Sequence, residues 1–206
     1  MNWKRNSILL LAASLLILSA PVCATTMLKM DLEDLTARAG TIFRGTVIDV
    51  TQDTIQAGGG ELPAVTYRVR VDELYKGAAT ETKGDKSIMV IRMVGSLVHS
   101  KTNADGRLKF DAFGQVPRLN PGADYLLFTT QESSIGLSVT VGLGQGAFRV
   151  LPVDGIDGQY QAVNEFNNAG LGLDSAGPVE LDKLSARINA LLGLSLIHIS
   201  EPTRLL

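Results

Sequence analysis

Polar and apolar residues follow two different periods along the chain, and the change between them falls at Gly40. Before it, Leu32 and Leu35 recur at helical spacing, and Asp31 is placed to cap a helix with its side chain. Residues 30–40 are therefore predicted to form a short N-terminal helix whose apolar face lies on the core. After Gly40 apolar residues recur at every second position, which is typical of β-strands.

The clearest strand signal is the alternation through residues 65–72. Tyr67 and its neighbouring valines point to one side, whereas Arg68 and Arg70 point to the other. Further strand segments are predicted at residues 41–50, 87–94, 124–130, 137–140 and 141–151. Alternate glycines in the last segment indicate a bulge or a sharp bend. The pattern predicts a mainly β fold, a small antiparallel barrel of five to six strands, closed or nearly closed, within residues 25–160.

Loops and a second helix complete the predicted organisation. Residues 57–61 contain three glycines without the spacing or the lysine of a phosphate loop, so a hairpin loop is predicted. The Asp-Gly pairs of residues 153–158 indicate a hairpin turn, since the ligands of a calcium loop do not alternate there. Residues 161–178 are rich in Asn, Gly and Ser and are predicted to be a linker. Residues 179–193 are predicted to form a C-terminal amphipathic helix, with Leu181, Leu184, Ile188 and Leu191 on one face.

The start of the chain has the three regions of a cleavable secretory signal peptide over residues 1–24. A basic start precedes an apolar stretch at residues 8–20, and small residues precede a cleavage site between Ala24 and Thr25. As a helix, the apolar stretch would span about 20 Å, short of the roughly 30 Å hydrocarbon core, which disfavours a membrane anchor. The residues around Cys23 match a lipoprotein signal poorly. We therefore expect a periplasmic or secreted protein without membrane attachment after cleavage.

The end of the sequence resembles a translated sequencing adapter. Every position from Leu194 to Arg204 matches one reading frame of a transposase-type library adapter. Residues 194–206 are therefore left out of the functional reasoning, and His198 is not a candidate ligand or base. The natural sequence after Gly193 stays open.

Composition removes several kinds of chemistry from residues 25–193. Their length of about 169 residues suits one domain, and sixteen basic against twenty acidic residues give a net charge of about −4. No basic run is present, so no nucleic-acid partner is expected. The segment contains no cysteine and a single histidine, His99, which we interpret as an exposed loop or strand-end residue. We expect no disulfide framework, no Cys/His zinc site, no cofactor and no catalytic residue.

Five motifs lie in a characteristic order between residues 30 and 151. They are Leu32-x-x-Leu35-x-x-x-Ala39, Ile42-x-x-Gly45-x-Val47, Tyr67-x-Val69-x-Val71-x-x-x-Tyr75-Lys76-Gly77, Pro117-x-x-x-Pro121-Gly122-x-x-Tyr125-Leu126-Leu127-Phe128 and Val141-Gly142-Leu143-x-Gln145-Gly146-x-Phe148-Arg149-Val150. This succession resembles a group of uncharacterised exported bacterial proteins. It is distantly similar to the netrin-like, OB-type barrels of the tissue inhibitors of metalloproteinases.

The resemblance implies an OB-like barrel that serves as a binding module. Those inhibitors coordinate the protease zinc through a mature N-terminal cysteine. This mature chain is expected to begin Thr25-Thr26, so the inhibitory mechanism does not transfer residue by residue.

The functional hypothesis is a non-catalytic module that binds an envelope or secreted protein. A metalloprotease-inhibitor-like domain and a carboxylate-based hydrolase are the alternatives, and OB-type recognition of glycans or nucleic acid is a further one. A hydrolase needs two converging acidic groups, whereas Asp49, Asp72 and Glu73 are interpreted as ordinary strand-end charges. Arg68 and Arg70 form the one charged stripe, which we interpret as a solvated strand edge. The sequence names no binding residue and no oligomeric state.

Overall fold

The computed structural model describes residues 28–83, 86–97, 116–173 and 176–199. These residues form one antiparallel sheet of eight strands and two helices, which confirms the mainly β fold. The strands are β1 (Thr41–Ala57), β2 (Gly60–Lys76), β3 (Glu81–Lys83), β4 (Lys86–Val94), β5 (Asp124–Thr129), β6 (Ala147–Pro152), β7 (Tyr160–Val163) and β8 (Val179–Glu180), and the helices are α1 (Leu32–Arg38) and α2 (Leu181–Ile199). Five to six strands were predicted, and β3, β7 and β8 are too short to show a period in the sequence.

The longer strands follow a Greek-key order. The sheet order is β3-β4-β2-β1-β5-β6-β7-β8, so β5 returns from the far side of the β1-β2-β4 meander to pair with β1. Within the described ranges no strand pair joins the edge strands β3 and β8. The sheet is therefore open, and the predicted barrel closure is not confirmed.

Register shifts bend the long β1–β2 hairpin at three places. Ile48 of β1 and Asp72 and Tyr75 of β2 have no Cα partner in the opposite strand, as expected for the extra residue of a bulge. At Gly45 the two strands approach so closely that a Cβ would overlap the carbonyl oxygen of Arg70 and lie 2.9 Å from Cγ1 of Val69. Bulges bend the strand that carries them, and the close approach at Gly45 leaves no room for a side chain.

Two apolar cores lie on the two faces of the sheet, because neighbouring residues of a strand point in opposite directions. Ile42 and Phe148 belong to the core that α1 and α2 cover. Phe43 and Leu127 belong to the other core, whose described members come from strands and from Leu119 in the segment before β5.

The stretch predicted as a linker packs onto the fold instead. Residues 161–163 belong to β7, and Leu171 is buried in the core beneath the helices. The side chain of Asn168 is buried and donates to the carbonyl oxygens of Ala162 at 2.9 Å and of Gly177 at 2.8 Å. The Asn- and Gly-rich composition therefore encodes a hydrogen-bonded turn, because asparagine amides can satisfy the backbone of irregular segments.

The alternate glycines after Val141 belong to a short 3-10 helix, Leu143–Gly146, where the sequence predicted a bulge or bend in a strand. This helix brings Gln145 against the segment that precedes α1. The Gln145 amide accepts from the backbone N–H of Met30 at 2.9 Å and donates to the carbonyl oxygen of Leu28 at 2.9 Å. Gln145 thus holds that segment by both of its polar atoms.

Some predictions concern residues outside the described ranges. They are the signal peptide over residues 1–24 with its cleavage site between Ala24 and Thr25, His99, the residues after 199, and the side chain of His198. Within the described part of the chain, neither helix is both long and apolar enough to cross a bilayer.

Candidate functional site

A group of three arginines lies on one surface of the sheet. In β2 the alternation buries Val65, Tyr67 and Val69 and directs Arg68 and Arg70 to the opposite face. Because Thr66 of β2 pairs with Arg92 of β4, Arg92 shares that face. We call the surface formed by Arg68, Arg70 and Arg92 the arginine face. Arg68 and Arg70 belong to β2, which runs between β1 and β4, and so they are not on the strand edge that was predicted.

Arg68 makes the most directional ion pair of the arginine face. Its two terminal nitrogens contact the two carboxylate oxygens of Glu81 in β3, at 2.7 and 3.2 Å. This hydrogen bonding to Glu81 raises the pKa of Arg68 above its already high ordinary value. A two-point contact fixes the plane of the guanidinium, so Arg68 presents its remaining donors in one orientation.

Arg70 and Arg92 are held in a similar way. Nε of Arg70 lies 3.3 Å from Asp72, and its Nη2 donates to Thr46 at 2.7 Å. Nη2 of Arg92 lies 3.1 Å from Asp53. The side chains of Arg68, Arg70 and Arg92 nevertheless remain 35%, 43% and 39% exposed. The arginine face therefore combines oriented, accessible donors with a local carboxylate for each positive charge.

The three acidic residues interpreted as strand-end charges lie within β1 and β2 and have separate partners. Asp72 contacts Arg70, and Glu73 accepts a hydrogen bond from the Tyr75 hydroxyl at 2.7 Å. Asp49 accepts from the Thr51 hydroxyl at 3.2 Å. Each carboxylate thus has a different neighbour as its hydrogen-bond or ion-pair partner.

A second polar cluster joins β2 to α2. The Tyr75 hydroxyl lies 2.6 Å from the Ser185 hydroxyl and also donates to Glu73. Burial raises the pKa of Tyr75, which further favours the protonated phenol that donates to Glu73. The next residue, Lys76, donates to the carbonyl oxygen of Thr36 in α1 at 2.9 Å. The Tyr-Lys-Gly motif therefore fastens both helices to the end of β2.

Two clefts of about 280 Å³ each open on the surface. One lies beside β4, between Thr80 and Ser138, and we call it the β4-edge cleft. The other lies between residues 117–120 and the β6–β7 hairpin, where the Arg149 guanidinium sits 5.9 Å from the centre of the Tyr125 ring. Both are small for clefts that take small molecules, which typically begin at about 300 Å³.

Comparison with protein families and with curated proteins finds no relative of the chain. No protein-family model matches the chain, and no curated protein matches it. Among the described residues, no group of three His, Cys, Asp or Glu side chains could hold a metal ion.

Sequence reasoning singled out Arg68 and Arg70 but missed the residues that complete their surface. The alternation of β4 already places Arg92 out of phase with buried Ile91, so this signal was present in the sequence. Glu81 could not be found in this way, because β3 has three residues and no recognisable period.

Proposed function

We propose that this protein is an exported, non-catalytic binding module, built on an OB-type barrel, that recognises a protein partner in the periplasm or the extracellular space. The barrel proposal is supported by the strand order β4-β2-β1-β5-β6, since an OB fold is a partly open Greek-key barrel of five strands. The bulges of the β1–β2 hairpin supply the curvature that such a barrel requires.

The arginine face is the observation that carries the binding proposal. Arginine is enriched among the residues that dominate protein interfaces. Guanidinium groups already oriented by Glu81, Asp72 and Asp53 would lose less conformational entropy when a partner binds.

The balance of charge on the arginine face favours a protein over a nucleic acid. Affinity for a phosphate backbone comes from basic side chains that replace its counterions, and it requires unbalanced positive charge. Here each arginine has its own carboxylate, so the surface offers both signs to a partner that also carries both. No feature of the described residues favours the inhibitor-like or the hydrolase alternative over this one.

A capture experiment tests the proposal. The purified mature protein is immobilised and incubated with envelope extract at increasing concentration, and the double variant Arg68→Ala/Arg92→Ala is compared with the exposed helix variant Arg187→Ala. We expect one saturable partner that the wild type and Arg187→Ala retain equally. The double variant should bind it about tenfold more weakly or worse, because two interface arginines are lost. Absence of a saturable partner, or equal binding by all three proteins, would contradict the proposal.

Export is tested separately. Residues 1–30 are fused to a reporter enzyme that is active only outside the cytoplasm, and the N-terminus of the secreted protein is sequenced. We expect reporter activity and a mature N-terminus at Thr25. The control is the same fusion with Lys4 and Arg5 replaced by Glu. These changes remove the basic start of the predicted signal peptide and should abolish export.

A further inference from the structure

Among the residues that the structure describes, only part of the outer edge of β4 is paired. β3 covers the beginning of β4, where Glu81 faces Ile88. Beyond that point two single hydrogen bonds reach the edge. The Val90 N–H donates to the Thr80 hydroxyl at 3.2 Å, and the Ser138 N–H donates to the Arg92 carbonyl oxygen at 2.9 Å.

A pair of backbone groups lies between these two bonds. The N–H and C=O of a strand residue point toward the same side, and the side alternates along the strand. The Val90 carbonyl and the Arg92 N–H therefore face the same outer edge as the two bonded groups. Among the described residues neither group has a partner across that edge. The Val90 carbonyl and the Arg92 N–H flank Ile91. In a parallel pair of strands, one residue of the added strand donates its N–H to such a carbonyl and accepts from such an N–H with its own carbonyl oxygen.

This backbone pair opens into the β4-edge cleft. Val90 and Arg92 line the cleft on one side, and Thr130, Glu132 and Ser138 line it on the other. A Cβ at Gly136 would lie 3.4 Å from Oε1 of Glu132 and 3.6 Å from Nη1 of Arg92. The carboxylate and the guanidinium therefore both border the space beside Gly136. The cleft thus combines hydroxyls and one charge of each sign with a stretch of strand edge that no described residue pairs.

We propose that an extended segment of the partner protein adds to β4 in this cleft, so that one of its residues bonds to the Val90 carbonyl and the Arg92 N–H. The inference rests on the proposed function and names its mode of recognition, which is strand addition to a sheet edge. A peptide backbone carries a donor and an acceptor in this arrangement, whereas a phosphate chain carries acceptors alone. The charges favour a segment with an acidic side chain toward Arg92 and a basic one toward Glu132.

The test uses a displayed library of random short peptides as its probe, selected on the full-length mature protein. The best peptide is synthesised, and its affinity is measured for the wild type, Arg92→Pro and Arg92→Ala. Proline removes the Arg92 N–H and is tolerated at outward positions of edge strands, whereas alanine keeps the N–H and removes only the side chain. We expect Arg92→Pro to bind about tenfold more weakly than Arg92→Ala, since it loses one hydrogen bond and gains a steric block.

Hydrogen exchange gives a readout that does not depend on a variant. In the free protein the Arg92 amide should exchange faster than the Ile91 amide, which faces β2. The bound peptide should slow exchange of Arg92 without changing Ile91. In a second variant, Glu132→Lys, peptides with a basic residue should lose affinity and peptides with an acidic residue should gain it.

Several results would overturn the inference. These are a library without binders, a peptide that leaves Arg92 exchange unchanged, or equal binding by the proline and alanine variants when both unfold cooperatively. If envelope capture still retains a partner after Arg92→Pro as well as after Arg92→Ala, the binding function stands and strand addition fails. Self-association that only Arg92→Pro abolishes would assign the edge to a second copy of this chain and would also overturn the inference.

Discussion

Single residues of the β1–β2 hairpin determine how closely its strands approach and how the sheet contacts α2. Gly45 lets β1 and β2 approach each other closely, and Tyr75 leaves the regular register to reach Ser185 of α2. Neither role follows from hydrophobic periodicity, because each depends on a contact between residues far apart in the chain.

Gly45→Ala tests the close approach of the two strands. The added Cβ would overlap the Arg70 carbonyl oxygen, and backbone cannot give way as a flexible side chain does. We expect a loss of about 1–3 kcal/mol in the free energy of unfolding, measured in urea. Gly60→Ala is the matched control, because a Cβ there meets nothing within 4 Å, and it should change stability by less than about 1 kcal/mol. Equal losses in both variants would show that strand contact at Gly45 is not the cause.

Tyr75→Phe tests the polar link between β2 and α2. Two hydrogen bonds are lost, so the free energy of unfolding should fall by about 1–3 kcal/mol near neutral pH. Ser185→Ala, which removes only one partner of the phenol, should cost less.

The pH dependence of this link has a definite sign. Burial raises the pKa of Tyr75 above its ordinary value of 10.0, so the folded state binds this proton more tightly than the unfolded state. Its contribution is complete below the unfolded pKa and is lost as the pH rises above it. The stability difference between the wild type and Tyr75→Phe should therefore shrink above about pH 10. Tyr67, whose pKa burial also raises, is present in both proteins and cancels from the difference.

At the scale of elements, α2 stabilises the folded protein mainly through one apolar face. Leu184 and Ile188 are fully buried against the sheet, whereas Lys183 is exposed and pairs with Glu180 at 3.1 Å. Ile188→Ala should lower the free energy of unfolding by about 2–5 kcal/mol in chemical denaturation. Lys183→Ala should change it by less than about 1 kcal/mol, because exposed ion pairs contribute little. Similar losses would mean that α2 does not dock through this face.

The elements that the sequence predicted are those with a long, regular pattern. Asp31 caps α1 by accepting from the Asp34 N–H at 2.8 Å, and the alternation around Tyr67 places β2 with the expected face inside. The sequence did not predict β3 or β8, because two or three residues show no period. The buried turn at Asn168 was mistaken for a linker, since flexible segments and hydrogen-bonded turns share the same composition.

At the scale of the whole molecule, local sequence patterns do not predict the strand order or the pairing of charges. Periodicity identified the strands, yet the return of β5 to pair with β1 depends on contacts across the intervening chain. Arg68 was visible as a charged residue, but its pairing with Glu81 exists only after β3 folds back onto β4. The arginines of the candidate site could therefore be predicted from the sequence, whereas the carboxylates that pair with them could not.

The carboxylates of the arginine face should prevent binding of nucleic acid. Asp53→Asn, Asp72→Asn and Glu81→Gln together leave the three arginines without their carboxylate partners and raise the formal net charge by three units. We expect this triple variant to bind a single-stranded oligo(dT) probe with strong salt dependence, measured by fluorescence anisotropy, while the wild type does not bind. The control neutralises three exposed acidic residues elsewhere, Glu33, Asp154 and Asp157, and reaches the same net charge. Equal binding of the oligonucleotide by both variants would attribute the effect to net charge. Binding by the triple variant alone would attribute it to the arginine face. Only on that face do the freed arginines lie close enough together to contact one phosphate backbone.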